Sequence, residues 1–211
     1  MTASMCLSLA LFLADDPVRW TFEDAKLGEL PGGWKADKTG KGPGSQWKVV
    51  TDESAPAGPQ ALAQTSSEGP TPLFNLCVCE ESKMADVEMS VRLKAVSGKK
   101  DQGGGLMWRY KDAGNYYIAR INPLEGNFRA YKVVGGKRVQ LATAEVEAAA
   151  GKWHTLRIVH RGERIQCYLN DKLHLDVKDG TFKDAGHVGL WTKADAVTHF
   201  DDLNIAKPGD R

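Results

Sequence analysis

The sequence predicts a single antiparallel β-sandwich. Apolar residues alternate at period two through most of the chain, and turn signals interrupt them at short intervals. No apolar repeat of helical period persists; only 144–150 would suit one helical turn. With 211 residues, the chain has the length of one large all-β domain and buries a substantial core without staples. No repeat, low-complexity block or linker divides it.

The expected strands follow in order. Residues 18–23 and 46–50 flank a Gly/Pro-rich stretch, 27–44, that reads as a long loop. Similar loops at 55–59 and 69–72 bracket a strand at 61–64 and precede one at 73–79. A long alternating strand covers 86–95. Strands 105–110, 116–122, 128–134 and 139–143 are joined by the turns Asp112-Ala113-Gly114-Asn115, Leu124-Glu125-Gly126 and Val134-Gly135-Gly136-Lys137. Strand 154–160 precedes 164–169 and 172–177, which Asn170-Asp171 connects as a turn dipeptide. Strands 187–192 and 198–205 complete the set. So many strands in one open sheet would leave an apolar face wet, so two sheets must pack together.

Composition excludes several functions. There are 28 basic and 27 acidic residues, a formal net charge of +1, and the only basic cluster is Lys99-Lys100. A nucleic-acid or polyanion binder would show a clustered basic excess. The apolar run 5–14 is too short to span a bilayer. It reads as the core of a signal peptide, residues 1–14, ahead of Asp15-Asp16, and implies an exported domain, 15–211. No basic residue precedes the run, and Phe12 is bulky for a position near the cut. Export would leave three cysteines. Cys77 and Cys79 share a strand face and cannot easily bridge each other. Either Cys167 pairs with one of them or all three are buried thiols.

An ordered set of motifs carries a resemblance. It comprises Gly103-Gly104-Gly105-Leu106-Met107-Trp108-Arg109-Tyr110, then Trp153-His154-Thr155-Leu156, Gly186-His187-Val188-Gly189-Leu190-Trp191 and Phe200-Asp201-Asp202-Leu203. Phe22-Glu23-Asp24, Gly28, Pro31 and Gly33-Trp34 fit the same set. The chain resembles the concanavalin A-like lectin/glucanase superfamily, and within it the laminin-G-like and 3-keto-disaccharide-hydrolase-type domains of secreted bacterial proteins. The resemblance implies a jelly roll over nearly the whole mature chain. It covers lectins, glycosidases and inert modules, so it does not fix an activity.

In such sandwiches the resemblance implies a concave sheet that holds carbohydrate. Sugar C–H groups need flat aromatic faces, and hydroxyls need planar polar groups. Alternation sets Leu106, Trp108 and Tyr110 on one face of their strand and Met107 with Arg109 on the other. The candidate glycan-binding residues are Arg109, Tyr116, Arg120, Asn122, Arg129 and Tyr131 on adjacent strands, with Trp191 and Lys193 at the edge. A plainer reading makes Trp108, Tyr117 and Trp191 core and the arginines solvated. Asp86 and Glu88, roughly 7 Å apart along a strand, are the best acid pair for glycoside cleavage. The family 16 hydrolases carry a third carboxylate in that run, whereas Met84 and Ser90 flank this pair, so no catalytic pair is evident.

The resemblance also implies structural calcium between the first and last strands, held by Asp201 with Glu23 or Asp24 and the Gly28 carbonyl. The sequence holds no Gly-x-Ser-x-Gly elbow, phosphate loop or His-Glu-x-x-His run. The leading expectation is therefore an exported carbohydrate-binding module. A glycoside hydrolase of the 3-keto-disaccharide type and a structural or adhesion module are the alternatives.

Overall fold

The computed structural model describes residues 17–209. The expected leader and Cys6 lie outside them. Fifteen strands form two sheets, and every pairing among the described residues is antiparallel. The expected jelly-roll sandwich is the observed fold. No helix occurs among these residues, so 144–150 runs from a strand into a loop. None is therefore long and apolar enough to cross a membrane.

The first sheet runs β13 (Lys172–Lys178), β12 (Arg164–Leu169), β11 (Trp153–Arg161), β6 (Val87–Ser97), β15 (Val197–Ala206), β4 (Gln60–Gln64), β3 (Trp47–Thr51). The short β1 (Val18–Trp20) also pairs with β15. The second runs β10 (Lys137–Glu145), β9 (Asn127–Val134), β8 (Asn115–Asn122), β7 (Gly104–Asp112), β14 (Gly186–Lys193), β5 (Phe74–Met84), β2 (Trp34–Thr39). Two of these differ from expectation. β2 lies inside the stretch read as a loop, and Glu80-Glu81 belongs to β5. As an edge strand, β2 carries one large apolar residue, Trp34, among lysines. Charged edges of this kind discourage pairing with other chains, and they also hide the strand from a periodicity search.

Alternation builds the core. In β6, Val87, Met89, Val91, Leu93 and Ala95 are buried, while the residues between them are partly exposed. They meet Leu106, Trp108, Tyr117, Ala119 and Leu190 of the second sheet. Cys77, Cys79 and Cys167 are buried, and all three are free thiols. Burial pushes Cys79 up to about 11 and lifts the other two further.

A second apolar cluster covers the outer face of the second sheet. Its members include Phe74, Leu76, Met107, Tyr116, Ile118, Tyr131 and Trp191. An outward face is buried here because the sheet curls on itself. Thr39 Oγ1 lies 2.7 Å from the Tyr116 hydroxyl, although β2 and β8 are four strands apart in the sheet. The Gly136 amide donates to the Gly114 carbonyl at 2.9 Å, tying two hairpin turns together. Gly105 and Gly189 sit inside the curl. A Cβ at Gly105 would lie 1.9 Å from the Ala119 carbonyl oxygen, and one at Gly189 would lie 2.2 Å from that of Cys77. Glycine at such positions lets neighbouring backbones close up where a sheet bends.

Gly105→Ala is therefore expected to cost at least about 3 kcal/mol, since backbone cannot yield as a side chain does. For a chain of this size that lowers Tm by roughly 6–12 °C. Gly32→Ala, which meets nothing within 4 Å, is the control and should leave the melting curve unchanged.

Candidate functional site

The concave face of the second sheet holds a connected set of partnered polar side chains. Its hub is Glu125, in the turn between β8 and β9. The Glu125 carboxylate accepts from Arg120 Nη2, Arg129 Nη1 and Asn127 Nδ2, each at 3.0 Å. Arg120 also donates to the Tyr131 hydroxyl at 3.2 Å and to Asn127 Oδ1. The turn is set by Asn122, whose Oδ1 accepts from the amides of Leu124 and Glu125. The Asn122 amide group donates to Asp101 at 3.1 Å, and Asp101 pairs with Lys193 at 2.7 Å.

The two carboxylates respond oppositely to this setting. Burial alone would raise the Glu125 carboxyl. Hydrogen bonds from Asn127 and Arg120, with the charges of Arg120 and Arg129, outweigh burial and hold it at about 2. Asp101 is almost fully buried; desolvation pushes its carboxyl up, and Lys193 only partly offsets that. Burial also pushes the Tyr116 phenol up.

Beside this hub, three rings surround a guanidinium. Arg138, on β10, lies 4.3 Å from the Tyr131 ring centre, 5.2 Å from Phe74 and 5.9 Å from Trp191. Phe74 and Trp191 are themselves in contact, with centroids 5.3 Å apart. β10 is an edge strand five places from β5, so this cage also depends on the curl.

The structure brings most of the expected residues together. Arg120, Arg129, Tyr131, Asn122, Trp191 and Lys193 share the concave face, and Tyr116 lies deeper, against Thr39. Trp191 is a buried part of the floor rather than an edge. Trp108 and Tyr117 are core.

Arg109 is a correction. The register of β7 shifts beyond Trp108, and Arg109 takes a φ of 46°. Its side chain leaves the Met107 face. It donates to the carbonyls of Ala85, Phe182 and Gly162 and to Asp86, and it is buried. Arg109 therefore straps three loops together away from the groove. The same shift sends Tyr110, expected beside Trp108, to the concave face, where its hydroxyl donates to Asp37 at 2.6 Å.

The acid pair considered for cleavage is committed elsewhere. Asp86 accepts from Gly162 N and Arg109, and Glu88 pairs with Arg157 at 2.9 Å on the first sheet. Sequence reasoning missed Glu125, Asp101, Phe74 and Arg138. The first two lie in turns and loops, where alternation carries no signal. Arg138 shares a strand face with Gln140 by the same alternation that placed Arg129 and Tyr131.

Of the residues considered for calcium, Asp201 is fully buried, whereas Asp24 and Gly28 are exposed. The Gly28 amide is bonded to the Val49 carbonyl. The charges of Asp202 and, less strongly, Glu23 reach Asp201. Gln60 donates to Glu23 through both its backbone and side-chain N–H groups, while its Oε1 is buried without a partner. Both Asp201 oxygens accept backbone amides, from Ala57 and Asp202, and no cluster of three or more acids, histidines or cysteines suited to a metal occurs among the described residues; carboxylate and amide oxygens are nonetheless ligands of the hard type that calcium takes.

The curled two-sheet antiparallel jelly roll is a fold of the concanavalin A-like class. The chain belongs to the 3-keto-alpha-glucoside-1,2-lyase-like domain family, whose sequence model matches residues 22–206. Levanase from Bacillus subtilis (strain 168) is 29% identical over 104 residues, which span 49% of this chain and 15% of the levanase. The carbohydrate binding module CBM66 from Bacillus subtilis superposes with a TM-score of 0.67 at 22% identity, over 83% of this chain and 96% of the module. The cellulose induced protein Cip1 gives 0.64 at 12% identity, over 92% of this chain and all (100%) of that one. At these identities the structural likenesses establish the fold.

The lowered Glu125 carboxyl has a pH signature. Its ordinary value is 4.5 and its folded value about 2, so its contribution is complete above pH 4.5 and is lost as pH falls towards 2. Urea unfolding of wild type and Glu125→Gln is expected to show a stability gap above pH 4.5 that shrinks steadily below it.

Proposed function

We propose that the concave face binds carbohydrate, at the rim where Arg120, Arg129, Tyr131 and Glu125 converge. One observation carries this reading. The partly exposed Arg129–Glu125 pair is backed by a nearly inaccessible Arg120 and Tyr131, so planar donors and acceptors are held rigid at an accessible edge. Rigid planar groups beside aromatic rings suit sugar hydroxyls and C–H faces, and their ordering cost is met by the fold. The levanase and the carbohydrate binding module, as their names describe them, support the same ligand class. The apolar run 5–14 supports action outside the cytoplasm.

A second reading, cleavage of 3-keto-glycosides, is favoured by the family and by Asp101. A buried carboxyl raised by desolvation, beside Lys193 and within range of Glu125's charge, has the setting of a proton-transfer group. Oligosaccharide-array binding by the wild type decides between the readings. Arg129→Ala is expected to weaken binding about tenfold, the loss typical of a charge-assisted hydrogen bond, with the melting temperature unchanged. Failure to bind any glycan would overturn the binding reading. Turnover of a 3-keto-disaccharide that stops in Asp101→Asn would move the assignment to the enzyme.

Glu23, Asp201 and the Gln60 Oε1 would hold a structural calcium ion that ties the loop after β1 to β15. Calcium at a hundred times its Kd would add about 2.7 kcal/mol, raising Tm by roughly 5–11 °C at this chain length. The shift should vanish with chelator and in Asp201→Asn; a melting curve indifferent to both removes the site.

A further inference from the structure

The polar groups of the concave face are out of balance. Arg120, Arg129, Arg138 and Lys193 face three carboxylates, Glu125, Asp101 and Asp37, the last of which accepts from the Tyr110 hydroxyl. Glu125 is shared by Arg120 and Arg129, and Asp101 is held by Lys193. Arg138 has no carboxylate of its own. Its Nη1 is buried with no hydrogen-bond partner, and Arg120 beside it also has an unpartnered Nε. The unsatisfied buried atoms at this place are thus N–H donors, two on cations and one on the neutral Trp191 indole.

An unpaired cation away from water is costly. Three rings compensate Arg138 only in part, since a ring face attracts charge without accepting the fork of N–H bonds that a guanidinium offers. A planar carboxylate matches that fork with two parallel hydrogen bonds. Arg138 is also partly exposed. It stands on β10, the edge strand, whose exposed and partly exposed residues outnumber those of its neighbours β8 and β9.

We propose that the sugar this groove selects is acidic, a uronate whose carboxylate pairs with Arg138 while the ring hydroxyls meet Arg129, Glu125 and Tyr131. The inference rests on the carbohydrate-binding reading and names its ligand class. Arg138 is the specificity-determining residue, and Arg120 adds positive potential behind it. Neutral sugars would engage the rim and leave the Arg138 charge unanswered.

The test uses matched ligands on the full chain. Oligouronates of galacturonate, glucuronate and mannuronate are titrated alongside their C6-reduced neutral counterparts, by calorimetry, at low and high salt. At least one acid is expected to bind about tenfold or more tighter than its neutral partner, the gain of a charge-assisted pair. The gap should narrow in high salt and collapse in Arg138→Gln, with neutral-sugar affinity retained. Arg138→Met serves as the folding control. Removing a half-buried cation that has no carboxylate of its own should leave Tm unchanged or higher, whereas a lowered Tm with the acid preference intact would make Arg138 a packing residue and overturn the proposal. Equal affinity for acid and neutral forms, or a preference that survives in Arg138→Gln, also overturns it and leaves the glycan site standing. Binding of neither class overturns both.

Discussion

Where β7, β8, β14 and β5 run side by side, the backbones approach more closely than a methyl group allows, and glycine occupies the tightest positions. Gly105 and Gly189 both point into the curve. Because the sheet bends there, strands four and five places apart come within side-chain reach. The Tyr116–Thr39 contact, the tied hairpin turns and the ring cage around Arg138 all follow from that bend. A flatter sheet of the same sequence would expose Phe74, Leu76, Met107 and Ile118 to water. The bend therefore both buries an outward apolar face and assembles the groove, so stability and site geometry share one cause.

The sheet architecture was legible because burial on one side writes period two into sequence, as in Val87, Met89, Val91, Leu93 and Ala95. β2 was not, because an edge strand needs only Trp34 to anchor it and fills the rest with charge. Most of the concave face was legible for the same periodic reason, with Arg120, Arg129 and Tyr131 at the expected positions. Arg109 was misplaced because a single bulge reverses facing for every later residue in the strand. Nothing in the local sequence announces that shift. The residues that pair with the arginines were also hidden. Glu125 sits in a turn and Asp101 in a loop, and their partners lie on other strands. Pairings of that kind are set by tertiary proximity, which spacing along the chain does not encode.

Charge placement follows a consistent rule across the molecule. Deeply buried Arg109 spends its donors on carbonyls and one carboxylate, and thereby fixes three loops. Arg120 spends its outer donors on an acid, an amide and a phenol, and fixes the β8–β9 turn. Each of these cations is locked because several fixed acceptors surround it. Arg138 has ring faces instead, and its Nη1 is left without an acceptor. The three arginines differ in the acceptors around them and in burial, Arg109 and Arg120 being fully buried and Arg138 half-buried.

Cys77, Cys79 and Cys167 lie between the sheets with their ionisation suppressed by burial. A thiol that is neither ionised nor reachable neither exchanges with disulfides nor reacts with alkylating reagents. Outside a cell, oxidation would then begin only when the two sheets part. The redox lifetime of this domain is thereby set by how often its core opens, and the rate of thiol labelling becomes a clock for that opening.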